Sequence, residues 1–348
     1  MRQRIKVAIL VINVLLVIAT CIAYAAPRIH PEVTRLPGML SLFFPFLFFM
    51  NLFAILFWLS FGKWYALLSV ICLGAGYARI GNFIQAGIHS QHEAQKTLRV
   101  ATYNIFSFHK IGSDKRNAEQ TVVQIAKDLG DPDILCLQES VNVGRADHPI
   151  GKYPYAFLVP GSGTLLLSKY AIVKSGHLTT DEMPSLSGWT DIRVGDQIIR
   201  VYALHLHSNQ ITEESEQLIE EGKLQERRTW IAAGSLIRKY GAASERRAQQ
   251  ADAIREHING CPYPALALGD FNDTPQSYTY AVLRGSDMQD SFVRRGTGIG
   301  TTYAGSIPGL RIDYVLAGKT FEIVHHQVLK LPYSDHYPVV AEVVIGFQ

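Results

Sequence analysis

Apolar residues follow two different rhythms along the chain. Before residue 81 they form long, nearly unbroken runs, and beyond residue 97 they form short runs separated by turns. Residues 5–26, IKVAILVINVLLVIATCIAYAA, are interrupted only by Lys6 and Asn13, and residues 39–61, MLSLFFPFLFFMNLFAILFWLSF, carry no charge. Residues 64–80, WYALLSVICLGAGYARI, are shorter and close on Arg79-Ile80. Crossing about 30 Å of hydrocarbon takes about 20 residues. The first two runs are long enough and the third is at the margin, so the pattern predicts a membrane region over 1–96 with about three transmembrane helices. Pro45 is tolerable in lipid, where neighbouring groups satisfy the freed carbonyl. Taken alone, the first run would also pass for a cleaved signal peptide ending in Ala23-Tyr24-Ala25-Ala26. The two hydrophobic segments directly behind it favour an anchor.

From Thr97 the pattern is that of alternating strands and helices. Leu98–Asn104 reads as a strand with a polar end. Residues 117–129 place Val122, Ile125, Ala126 and Leu129 on one helical face, and Asp131-Pro132-Asp133 ends that helix. Ile134–Leu137 is a buried strand running into Gln138-Glu139. Thr164–Ser168, Ile198–Leu206, Ala265–Leu268, Arg311–Leu316 and Val339–Ile345 are further strands. Residues 213–257 are long, charged and helical, with Gly222, Gly234 and Gly241 as expected interruptions. This alternation predicts layered α/β with a site along one sheet edge, where rigid strand ends present chemistry to solvent.

Charge divides at the same boundary. Residues 1–96 hold eight Lys/Arg and two acids, so of the totals of 33 and 30, 25 basic and 28 acidic residues remain in 97–348. A net −3 in the larger part lacks the basic balance of a dedicated duplex-DNA binder. Three spans from a basic cytoplasmic N-terminus would put Lys63 inside and residue 81 onward outside, although Arg28 and Arg35 in the intervening loop weaken that asymmetry. Of the four cysteines, Cys21 and Cys72 lie in apolar runs, and Cys136 and Cys261 leave a disulfide open but not established. No CxxC or Cys/His cluster suggests zinc.

Several strand-like runs finish in a group able to hold metal or phosphate: Asn104, Glu139, His205, Asp270, Asn272, Asp313, Asp335 and His336. An acid after a strand is usually a turn former; it is their joint occurrence that signals chemistry. These residues also lie in a familiar series. Ala101–Ile105 resembles the opening TWN-I motif of the endonuclease/exonuclease/phosphatase superfamily, and Asp133–Glu139 its D-hhhLQE motif. Leu166–Tyr170 is similar to the ILSKhP segment, with Ala171 where proline is usual. Ala203–Leu206 is similar to T-HL, with Leu204 displacing a polar residue. Leu268–Asn272 matches GDFN, Ile312–Val315 matches IDYI, and Ser334–Val339 matches SDHhPV. The resemblance covers about residues 97–346 in the expected order.

That resemblance implies a four-layered α/β sandwich of the DNase I-like type, preceded here by the transmembrane helices, and metal-dependent hydrolysis of phosphate esters by domain 97–348. Glu139 offers a hard carboxylate suited to Mg²⁺, with Mn²⁺ as an alternative; Asn104 and Asp335 are the other metal candidates. His336 would donate to a phosphoryl oxygen, and the resemblance gives its anchoring to Asp313. Asp270 would activate water, Asn272 would donate to the developing charge, and His205 would contact phosphate or act as an acid, with His207 an ambiguous neighbour. Asp191, Arg247 and Gln250 have bland structural readings. The expected partners are the bilayer and a phosphate ester, which is nucleic acid, a phospholipid headgroup or a small phosphorylated metabolite; no protein partner is expected. The anchor and the negative domain tilt the choice toward lipid or small esters. A non-catalytic membrane-anchored binding or scaffold protein is the alternative; its mark, loss of site residues, is absent. A transport role is disfavoured by the few polar residues in the apolar runs.

Overall fold

The computed structural model describes residues 3–87, 97–108, 117–140, 143, 148–178, 186–208, 227–305 and 309–346. The N-terminal runs fold as helices α1 (Gln3–Ala25), α2 (Leu36–Leu42), α3 (Phe44–Ser60) and α4 (Ala66–Ala75). At 1.5 Å per residue α1 is about 35 Å long, enough to span a bilayer. The second run is bent by 71° between α2 and α3. Pro45 lies in the first turn of α3, where its missing N–H costs nothing because that donor would have no intrahelical partner. The third run gives α4 and a single turn at Tyr77–Ile80, and α4 reaches only about 15 Å. Instead of three spans, the described residues contain one helix of spanning length, or two if the bent pair counts as one.

Buried polar groups bind these helices together. Asn13 donates to Ser69 Oγ at 2.9 Å and accepts from Trp58 Nε1 at 3.0 Å, while Asn51 donates to Thr20 Oγ1 at 2.9 Å. Such buried bonds, together with close packing, hold the helices to one another. Gly76 serves the packing, since a Cβ there would stand 2.0 Å from the Tyr24 ring.

The remainder is built on two six-stranded sheets. After β1 (Ile84–Ala86), the first sheet takes β2 (Leu98–Asn104), β3 (Ile134–Gln138), β4 (Tyr155–Leu158) and β5 (Leu165–Ser168). The second takes β6 (Ile172–His177), β7 (Gly188–Val194), β8 (Gln197–His205), β9 (Ala265–Asp270) and β10 (Met288–Asp290). β11 (Thr297–Ile299) pairs with β1; β12 (Asp313–Gly318) joins the second sheet, and β13 (Phe321–Val328) and β14 (Val339–Ile345) join the first. The orders are β13-β14-β2-β3-β5-β4 and β10-β12-β9-β8-β7-β6. Each sheet has one parallel pair near its middle, β2/β3 and β8/β9.

The period of two along a strand explains why the central strands are apolar throughout. Ile134 and Cys136 of β3 enter the core between the sheets with Leu266 and Leu268 of β9. Leu135 and Leu137 turn outward onto helix α5 (Ala118–Asp128), meeting Val122, Ile125 and Ala126. Beneath the second sheet, helix α6 (Arg227–Asn259) contributes Ala251, Ile254 and Ile258, and α7 (Tyr278–Arg284) contributes Tyr280 and Leu283. The result is a DNase I-like sandwich of helix, sheet, sheet and helix. α6 continues through Gly234 and Gly241, the expected interruptions; Gly222 lies outside the described residues. Cys136 and Cys261 are both free: Cys136 is sealed between the sheets, while Cys261 bonds the carbonyl of Tyr263 beyond α6.

Candidate active site

Register brings the polar strand ends together. In the parallel pairs Asn104 is level with Gln138, and His205 with Asp270. The antiparallel neighbour β12 begins with Asp313 opposite Asp270, and the turn before β14 delivers His336. Asn104 Nδ2 then spans the two sheets, donating to Glu139 Oε1 at 3.2 Å and to Asp270 Oδ2 at 3.0 Å.

Local backbone supports these positions. A Cβ at Gly269, whose φ is +155°, would fall 1.9 Å from the carbonyl oxygen of Leu204, so only glycine lets β9 close on β8 here. Asp270 Oδ1 accepts from the backbone N–H of Asn272 at 2.8 Å, and Asn272 Nδ2 donates to Leu206 O at 3.0 Å and to Asp270 Oδ2 at 3.3 Å. This side-chain turn suits asparagine, here Asn272, at φ +52°. Glu139 has φ +57°, a conformation costing a non-glycine residue roughly 1–2 kcal/mol.

His336 Nδ1 lies 2.9 Å from Asp313 Oδ2, and its Nε2 lies 3.8 Å from Asp270 Oδ2. All three side chains are buried. Burial opposes charge on the imidazole, but Asp313 and Asp270 outweigh it and push His336 up to about 10. Burial, reinforced by Asp313, pushes the Asp270 carboxyl up to about 6. The proton of this cluster therefore rests on His336, bonded toward Asp313. His205, also buried, has neither ring nitrogen bonded among the described residues, and its Nε2 stands 3.9 Å from Glu139 Oε1. Burial holds its pKa below the usual histidine value.

Hydroxyls that the sequence did not single out complete the frame. Thr302 Oγ1 accepts from the backbone N–H groups of Ile312 and Asp313, Ser334 Oγ accepts from His336 N–H, and Ser187 Oγ accepts from His205 N–H. Of these only Ser334 sits inside a recognisable motif; Thr302 and Ser187 are remote in sequence from what they hold. Tyr303 sets its ring edge-on to His336 at 5.6 Å.

Other candidates fall outside the cluster. Asp335, half-buried, accepts from Ser334 Oγ at 3.2 Å, and its charge acts on His336 rather than through any described bond to Glu139. Asp191 is tied bidentately to Arg200 on the neighbouring strand, at 2.6 and 2.8 Å. Arg247 donates to Asp273 and to the carbonyl of His207, and Gln250 accepts from His207 N–H. These brace the strand ends from behind.

Asp270, Asp313 and His336 offer ligand atoms within 4.8 Å of one another. A protonated imidazole has no lone pair to give, so a cation is better met at Glu139, whose side chain is 30% exposed. The Glu139 carboxylate is the hard oxygen donor that suits a divalent ion; Asn104 turns its Nδ2 toward it and gives its Oδ1 to Phe106 N–H, so no amide oxygen faces that carboxylate.

Comparison with known proteins agrees with this architecture. An endonuclease/exonuclease/phosphatase from Bacteroides vulgatus superposes with a TM-score of 0.51 at 18% identity, over 72% of this chain and 100% of that one. A family protein from Bacteroides thetaiotaomicron gives 0.50 at 16% identity, over 73% and 100%. Humanized TDP2 of D. rerio gives 0.50 at 16%, over 71% and 99%. At these identities the likeness is one of fold. No curated protein matches the chain. Residues 6–83 match a domain of unknown function. The pattern of a named family matches residues 101–336, from β2 to His336, and the chain accordingly belongs to the Endonuclease/Exonuclease/phosphatase family.

Proposed function

We propose that this chain is a membrane-anchored, divalent-metal-dependent hydrolase of phosphate esters, with residues 97–348 as the catalytic domain. The observation that carries the reading is the buried meeting of Asn104, Asp270, Asp313 and His336 beside Glu139 at the joined ends of two sheets.

Glu139 would hold Mg²⁺ or Mn²⁺, its carboxylate steadied by Asn104 Nδ2; Asp335, expected as a further ligand, lies outside the cluster. Such an ion supplies neutralisation of phosphoryl oxygen charge and orientation of the ester. Asp270 is the base: with its pKa near 6 it is ionised at neutral pH yet basic enough to take a proton from water. Asn104 and Asn272 aim its carboxylate. Asn272 already donates to Leu206 O and Asp270, so its first role is positioning, and donation to substrate requires trading one of these bonds. His336, charged and anchored by Asp313, donates from Nε2 to the phosphoryl oxygen as negative charge grows. His205 adds a second buried donor.

An extracytoplasmic orientation is the one proposed for the domain. Lys6 Nζ lies 5.7 Å from the Tyr65 ring, so the start of α1 adjoins the α3–α4 turn that carries Lys63. The opposite end of the bundle meets the domain, where Arg35 pairs with Glu245 at 2.7 Å. The far end thus groups Arg4, Lys6 and Lys63 while the domain end carries Arg28, Arg35 and Arg79, so the proposed orientation rests on the basic start of α1.

The test is hydrolysis by the full-length protein in detergent, with Mg²⁺ or Mn²⁺, of bis-p-nitrophenyl phosphate, p-nitrophenyl phosphate, DNA, RNA and sphingomyelin vesicles. Turnover of at least one ester should vanish with EDTA, return with metal, and be lost in His336→Ala. Hydrolysis resistant to EDTA, or unchanged in that variant, would refute the reading.

A further inference from the structure

The anchor touches the rim of the candidate site. Leu42, the last residue of α2, packs against Tyr303, Leu310 and Ile312. Tyr303 bridges to His336 through the backbone and through its ring, and Ile312 precedes Asp313. Two polar links lie beside this contact. Tyr240 Oη donates toward Gly38 O at 3.3 Å and toward Asp273 Oδ1 at 3.2 Å, and the buried Arg311 guanidinium reaches Asn82 O and Asp290 Oδ2, each at 2.8 Å. Gly38 and Asn82 belong to the two segments at the domain end of the bundle; Asp273 and Arg311 stand within a few residues of Asp270 and Asp313. The site rim is thus held against the membrane end of the molecule at three points.

Leu42 also marks where lipid-facing surface begins. Phe43 is 49% exposed, and Phe46, Phe49 and Phe53 continue an exposed apolar face down α3. Tyr77, 80% exposed, sits at the matching end of α4, the headgroup level where amphipathic rings collect. One van der Waals contact of about 4 Å and the 5.6 Å ring spacing put His336 on the order of 10 Å from Leu42. The headgroup layer of a bilayer is about 5–7 Å deep on each side of the hydrocarbon. A site this close to the hydrocarbon edge opens just above the headgroup layer, within reach of a lipid phosphoester at the surface. A nucleic acid, by contrast, would lay many phosphates on a domain carrying 28 acids against 25 bases, and a lipid presents one.

We infer that the substrate is a phospholipid resident in the bilayer, its headgroup phosphoester entering beside Tyr303; this rests on the hydrolase reading above. Water adds across one P–O bond: its oxygen goes to phosphorus, one proton goes to Asp270, and the departing alcohol oxygen takes up a proton. The experiment uses the full chain in nanodiscs of phosphatidylcholine carrying phosphatidylethanolamine, phosphatidylglycerol, phosphatidylinositol and sphingomyelin. Monomeric short-chain forms of the same lipids, and bis-p-nitrophenyl phosphate, are assayed beside them. Surface confinement should give at least one embedded lipid a kcat/KM roughly tenfold or more above its soluble counterpart. Cleavage of bis-p-nitrophenyl phosphate or soluble short-chain esters without that preference would overturn the lipid assignment and leave the hydrolase standing. Failure on every substrate would remove both.

Discussion

Replacing Asp313 by asparagine keeps the side-chain shape and removes the charge that keeps His336 protonated. At the observed 2.9 Å, a unit charge pair in an effective dielectric of about 20 interacts by about 6 kcal/mol, on the order of four pH units. Burial of the pair takes back part of this, so a net fall of about two pH units in the histidine is expected. Asp313 also raises Asp270, so that carboxyl falls too. The base must be ionised and the donor protonated, and the acid limb of the pH–rate profile therefore follows Asp270 while the alkaline limb follows His336. Asp313→Asn should move both limbs toward lower pH, the alkaline limb further, and cut kcat by roughly 10²–10⁴-fold. The assay is a pH–rate profile on bis-p-nitrophenyl phosphate, with the melting temperature as control for folding. An alkaline limb that stays in place with near-normal kcat would refute the assigned pairing.

Three other outcomes follow from the same geometry. Gly269→Ala, with its Cβ forced onto Leu204 O, should cost at least roughly 3 kcal/mol and lower Tm by about 6–12 °C; an unchanged Tm in a thermal scan contradicts the close approach. Glu139→Gln should weaken Mg²⁺ binding roughly tenfold or more by calorimetry without altering Tm, and equal affinity would move the cation elsewhere. His326, half-buried beside Ser291 with its ring nitrogen kept from water and its pKa pushed down to about 3, is neutral when folded and takes a proton more readily when unfolded. Stability should thus fall as pH drops below about 6.5, by up to roughly 1.4 kcal/mol per pH unit, and His326→Gln should flatten that slope in denaturant titrations.

The strand ends were readable because buried strands announce themselves by apolar runs, and a polar group at the end of such a run has few bland explanations. Asn104, Glu139 and Asp270 were visible this way, as was the face of α5. Edge strands such as β13 were not, since Phe321–Val328 alternates exposed polar and buried apolar positions and includes two histidines. Run length also misled at residues 64–80: hydropathy sees a nearly continuous stretch, but the close packing of Gly76 on Tyr24 accompanies the end of α4. Least legible was the docking of the N-terminal helices on the rest of the chain. Arg35 with Glu245, and Arg311 with Asn82, join residues more than 200 positions apart, and no local pattern marks either arginine as anything but a surface charge. Arg311 is instead buried over the rings of Phe292 and Tyr314.

The most direct measurement is metal-supported turnover by full-length Asp270→Asn beside the unaltered chain, at equal Tm. Asparagine retains the bulk and loses the proton acceptor, and kcat should fall by roughly 10²–10⁴-fold. Undiminished turnover would show that water is activated elsewhere and that the meeting of side chains at the sheet edge is not the reacting centre.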